Sequence, residues 1–185
     1  MEFIKDKLRP MLILLGAVWA VEAVNLVLGH GLTVWGILPR SLGGIVGIPL
    51  APFIHASFLH ALSNTLPLLI LGGLTLTAGE RRFWSITVGI VVLSGLLVWL
   101  FARGAYHVGA SGLIFGYFGA LLARAFVERN VVSVIVATGV VVLYGGLIWG
   151  VLPTRSHISF EAHLFGLVAG IVVVWFGGRS ERAGG

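Results

Sequence analysis

Three short stretches hold the residues on which chemistry could rest. Residues 55–64 read HASFLHALSN and supply His55, His60 and Asn64; residues 109–112 read GASG around Ser111; residues 161–170 read EAHLFGLVAG and supply Glu161, His163, Gly166 and Gly170. A serine hydroxyl is a weak nucleophile until a base takes its proton, and imidazole suits that task near neutral pH. His60 and Asn64 are four residues apart, so on a helix they share a face, while His55 is turned partly away and is expected to make a structural hydrogen bond. Gly109 and Gly112 let the Ser111 hydroxyl stand clear of the backbone while N–H groups at a helix start turn toward a reacting oxygen. Ser111 suits a plain helix N-cap as well, and the tetrapeptide alone leaves both readings open.

His163 sits one turn before Gly166, and Gly166 and Gly170 form a small-xxx-small pair that admits a neighbouring helix. Gly116, Gly119 and Ala120, downstream of Ser111, offer the matching surface. A contact of that kind would bring His163 within hydrogen-bond reach of Ser111. Glu161 is two residues from His163 and points elsewhere on a helix, so no acid completes a triad. The sequence has no HExxH, no cysteine and no carboxylate at ligand spacing beside the histidines. Neither a metal nor a cofactor is expected.

The elements that must position these residues are membrane spans. Of 185 residues, 58% are hydrophobic and 10% charged, which excludes an ordinary soluble domain, a disordered chain and a disulfide scaffold. Apolar runs fall at about 11–28, 53–74, 83–102, 110–127, 131–151 and 161–177, each long enough to span a hydrocarbon core of roughly 30 Å. The expectation is an all-α membrane protein with six spans in one domain over residues 1–185, without a cleaved leader. Residues 29–52 are too apolar for a solvated loop and too rich in Gly and Pro for a spanning helix. They are expected to form a membrane-embedded first loop beside the bundle.

The net charge of +5 does not mark a nucleic-acid binder, because Lys and Arg gather at the ends of apolar runs. With the N-terminus cytoplasmic, Lys5, Lys7, Arg9, Arg81, Arg82, Arg124, Arg129, Arg179 and Arg182 lie inside, against Arg40, Arg103 and Arg155 outside. Both termini are therefore expected in the cytoplasm, with every polar cluster at the extracytoplasmic ends of spans two, four and six. At about 1.5 Å per residue, Ser111 lies about 20 Å above Arg124, His163 about 24 Å above Arg179 and Asn64 about 24 Å from Glu80. The shared depth points to one submerged site.

In order and in the right spans, HxxxxHxxxN, GxSG and AHxxGxxxG resemble the motifs of the rhomboid family of intramembrane serine proteases, and the resemblance covers nearly the whole chain. It implies a six-helix rhomboid-like bundle, a Ser111 nucleophile and a His163 base. It further implies an oxyanion site of His60, Asn64 and the Ser111 N–H, support from His55, and an aromatic ring, Phe115, beneath His163. The Trp-Arg pair of some members is absent, Trp35 and Arg40 being separated. The implied partners are transmembrane protein substrates and the lipid bilayer, and the implied setting is a prokaryotic plasma membrane. Two rivals stand beside this reading: a non-catalytic rhomboid-like protein that binds transmembrane helices, and a small transporter or channel. The transporter would want acidic residues within spans, where only Glu22 qualifies.

Overall fold

Glycine, proline and charge punctuate the apolar runs, and helices form between those breaks. The computed structural model describes residues 2–153 and 159–183; Arg155, counted above for orientation, lies outside them. In chain order the helices are α1 (Glu2–Val27), α2 (Leu42–Ile45), α3 (Gly47–Leu50), α4 (Phe58–Leu76), α5 (Glu80–Phe101), α6 (Ser111–Glu128), α7 (Val131–Tyr144) and α8 (Phe160–Ala183). Six stretches are long and apolar enough to cross a membrane, on α1, α4, α5, α6, α7 with its 3-10 extension Gly145–Val151, and α8.

The second span starts later than its hydropathy suggests. Residues 53–57 are apolar enough to be counted with it, yet Ser57 is extended and its Oγ accepts from the His60 N–H, so α4 begins at Phe58. His55 therefore stands on the connection before the helix, fully buried. In the fifth span the α-helix stops at Tyr144 and tightens into the 3-10 segment Gly145–Val151, where three of the seven residues are glycine. Glycine costs a helix roughly 1 kcal/mol relative to alanine, which weakens the regular helix at that point.

α6 is the central helix, with residues 113–121 buried without interruption. A helix apolar on all sides belongs inside a bundle. Its Tyr117 ring stacks on Phe83 of α5, and the buried hydroxyl shares a 2.7 Å hydrogen bond with Thr87 Oγ1. α8 meets α6 through glycine. A Cβ on Gly166 would overlap the Gly112 carbonyl, and one on Gly170 the Gly116 carbonyl. Lipid tails are as apolar as leucine, so helices in a membrane associate by close van der Waals packing, which small residues permit.

The first loop lies against α5 and is fastened at several points. Ile37 pairs with His107 in an antiparallel bridge, Trp99 Nε1 donates to the Ser41 carbonyl at 2.7 Å, and Arg40 donates to the Leu100 and Ala102 carbonyls at 3.3 and 2.8 Å. Those carbonyls end α5 without intrahelical partners, and the guanidinium supplies donors to them. At the opposite end of the bundle Glu128 pairs with Arg82 at 3.1 Å and Arg124 at 2.9 Å. Arg82 and Arg124 thus stand at one end, Arg40 and Arg103 at the other.

Candidate active site

The N-terminal ends of α4, α6 and α8 meet around one cavity of about 740 Å³, lined among others by His60, Asn64, Ser111, Phe115 and His163. Ser111 is the first residue of α6. A residue in that position has no intrahelical acceptor for its N–H, and the helix dipole favours negative charge there. The approach to Ser111 is held by two backbone donors: Gly109 N–H to the Ala51 carbonyl at 2.8 Å and Ala110 N–H to His55 Nε2 at 3.2 Å. Gly109 has φ +115°, and a Cβ there would lie 2.6 Å from His60 Cε1. Only glycine meets both demands.

His60 is in the first turn of α4 and Asn64 one turn on, on the same face. Asn64 is buried and its Nδ2 has no hydrogen-bond partner among the described residues. Buried amide donors are nearly always paired, so an orphan lining a cavity marks a place for an incoming acceptor. His163, in the first turn of α8, is bound from two sides. Its ring stacks on Phe115 with centroids 4.2 Å apart and planes 5° from parallel, and its Nδ1 lies 2.8 Å from the Gly150 carbonyl oxygen. A carbonyl only accepts, so Nδ1 carries the proton and Nε2 keeps the lone pair that a general base needs.

The sequence-predicted residues divide into two groups. Ser111, His163, His60, Asn64 and Phe115 share the cavity wall. His55 lies behind it as the acceptor for Ala110, and Gly112, Gly166 and Gly170 lie in the α6–α8 contact. Glu161 faces Arg103, its Oε1 3.4 Å from Nε. Sequence reasoning missed the Gly150 carbonyl, for which no side chain could give a signal. It missed Asn25 too, whose Nδ2 donates to the His55 carbonyl at 2.7 Å and whose Oδ1 accepts from the Leu32 N–H at 3.0 Å. An amide within an apolar span is costly unless paired, and that cost was the available clue.

Burial pushes the His55 imidazole down from 6.5 to about 4, with neighbouring His60 acting in the same direction. The native state therefore keeps His55 neutral while the unfolded chain takes up a proton below about pH 6.5. Its contribution to stability is complete above pH 6.5 and is lost as the pH falls toward 4. In detergent the melting temperature is expected to fall across that window, and His55→Gln, which retains an acceptor but does not titrate, is expected to fall less. Equal slopes for parent and variant would assign the acid sensitivity elsewhere.

Residues 42–180 match the family model of the Rhomboid domain. The chain is 36% identical over 173 residues to an uncharacterized protein of Mycobacterium tuberculosis, covering 89% of this chain and 72% of that one. It is 32% identical over 129 residues to RHOMBOID-like protein 4 of Arabidopsis thaliana, covering 65% and 31%. It is 30% identical over 124 residues to a Bacillus subtilis protein provisionally named a rhomboid protease, covering 65% and 61%.

Proposed function

The chain belongs to the Rhomboid family, and from that membership we propose that it is an intramembrane serine endopeptidase that cleaves transmembrane segments with a Ser111–His163 dyad. One observation carries the reading: three separate helices bring a serine, an imidazole with its Nδ1 already engaged, and the His60 and Asn64 side chains onto the wall of one cavity. Ser111 Oγ attacks the scissile carbonyl carbon as its proton passes to His163 Nε2. The tetrahedral oxyanion is met by His60, Asn64 and the Ser111 N–H. Collapse of the intermediate breaks the C–N bond, and the proton on Nε2 goes to the leaving amine. Water, activated by the same imidazole, then hydrolyses the acyl-enzyme and restores the serine. The Gly150 carbonyl and the Phe115 ring take the place of a triad acid by fixing tautomer and orientation.

A substrate helix has its carbonyls bonded internally and must unwind locally before attack, which favours Gly, Pro or small residues near the cut. Purified protein is expected to cleave a model transmembrane substrate and to label with a fluorophosphonate at Ser111. A chain that binds the substrate helix but neither cleaves nor labels would be an escort, not an enzyme. Asn64→Ala is expected to lower kcat about 100- to 1,000-fold with little change in KM, since its donor strengthens on the oxyanion rather than on the ground-state carbonyl. A loss confined to KM would remove Asn64 from that role. In the membrane both termini lie in the cytoplasm and the cavity opens outward, in keeping with the Lys and Arg distribution. Reporter fusions at residue 185 should be active inside; activity outside would invert the topology.

A further inference from the structure

His107 and Ser159 take no part in the reaction scheme, yet both line the same cavity. The His107 main chain is paired in both directions with Ile37 of the first loop, accepting at 3.0 Å and donating at 2.9 Å. Its ring is saturated as well: Nε2 lies 3.1 Å from the Arg103 carbonyl and Nδ1 lies 2.6 Å from Ser159 Oγ. The carbonyl only accepts, so Nε2 bears the proton and Nδ1 must accept from the serine hydroxyl. That leaves the Ser159 lone pairs for the Ala162 N–H, 3.2 Å away, in the first turn of α8. Ala162 is the residue before His163. His107 is four residues before Ser111, on the segment whose last two N–H groups are pinned by Ala51 and His55. One directional chain of hydrogen bonds thus joins the strand of backbone that delivers Ser111 to the turn that delivers His163, separately from the glycine contact deeper in the bundle.

We propose that His107 and Ser159 form a positioning pair that sets the separation of Ser111 and His163; this rests on the dyad reading above. Neither side chain touches the reacting atoms. The hydroxyl and the imidazole hold the start of α8 against the segment that leads into α6, so losing either lets the base drift relative to the nucleophile. A displacement of about 1 Å in a catalytic pair costs on the order of 100-fold in rate. His60 and Asn64 stand on α4, outside this link, so the effect falls on kcat.

The test compares Ser159→Ala, Ser159→Thr, His107→Phe and the Ser159→Ala/His107→Phe double variant with the parent and Ser111→Ala, in detergent, on one transmembrane substrate. Each single loss is expected to lower kcat about 10- to 100-fold with KM within about twofold, and Ser159→Thr to keep most of the parental kcat. The double variant is expected to be no worse than the worse single, because both changes cut the same link. Parental kcat in folded Ser159→Ala, a change in KM alone, or multiplying losses in the double variant would overturn the pair. If His107→Phe does not fold, Ser159→Ala against Ser159→Thr carries the decision. A parent without activity, or an active Ser111→Ala, defeats the dyad reading instead. An active parent with an inactive Ser111→Ala and a parental Ser159→Ala defeats only this inference.

Discussion

Ser111→Ala is expected to lower cleavage by at least about 10,000-fold while the protein still folds, and His163→Ala to do the same. In the proposed mechanism the two residues act on one proton, so the double variant should be no slower than either single. The stability half of the expectation comes from the surroundings of Ser111. It stands half-buried on the cavity wall at the first position of α6, and the N–H groups before it are anchored by Ala51 and His55 rather than by its hydroxyl. Removing one oxygen there leaves no cavity in the core and breaks no helix bond, so the thermal midpoint should stay within about 2 °C of the parent. Cleavage and fluorophosphonate labelling, measured beside a melt, check both halves. Residual activity in Ser111→Ala comparable to the parent would remove the serine from the chemistry altogether.

Gly170→Val is expected to lose stability and activity together. A Cβ at Gly170 would overlap the Gly116 carbonyl and come within 2.9 Å of Ala120 N, all of it backbone within a helix that has nowhere to move. α6 and α8 must separate to admit the side chain. Overpacking of this kind costs about 1–3 kcal/mol, and for a chain of this length that is about 2–12 °C in melting temperature. Separation also carries His163 away from Ser111, with a rate loss on the order of 100-fold. Gly73→Val in α4 serves as the control, since among the described residues nothing lies within 4 Å of a Cβ there. A folded, fully active Gly170→Val would mean that the two helices do not depend on this notch to hold the base near the nucleophile.

The six apolar helices were legible in the sequence because a bilayer imposes a simple requirement: every backbone polar group must be satisfied within the segment, so length and hydropathy suffice to find a span. The polar stretches that carry Ser111, His60, Asn64 and His163 were legible for the converse reason, since polar side chains within spans are costly and few. Spacing along each helix likewise gave the shared face of His60 and Asn64, and the glycine notch at Gly166 and Gly170. Each of these is a property of one segment, fixed by local geometry and by the solvent around it.

What needed the tertiary structure were the relations between segments. Hydropathy could not tell that α4 starts at Phe58, because residues 53–57 are as apolar as a helix, yet Ser57 is extended and its side chain caps the first turn of α4. Nor could spacing find the acceptor for His163, because the Gly150 carbonyl is a backbone group, and only the fold of the 3-10 turn aims it at Nδ1. Asn25, His55 and Ala110 are joined in space across 85 residues, as are His107 and Ser159 across 52. A hydrogen bond depends on distance and angle, not on sequence separation. The sequence by itself therefore determined which segments are long and apolar enough to cross a membrane and which polar groups they carry; the packing of α4, α6 and α8 decided which of those groups face one another, because only close contact fixes the distances between side chains on different helices.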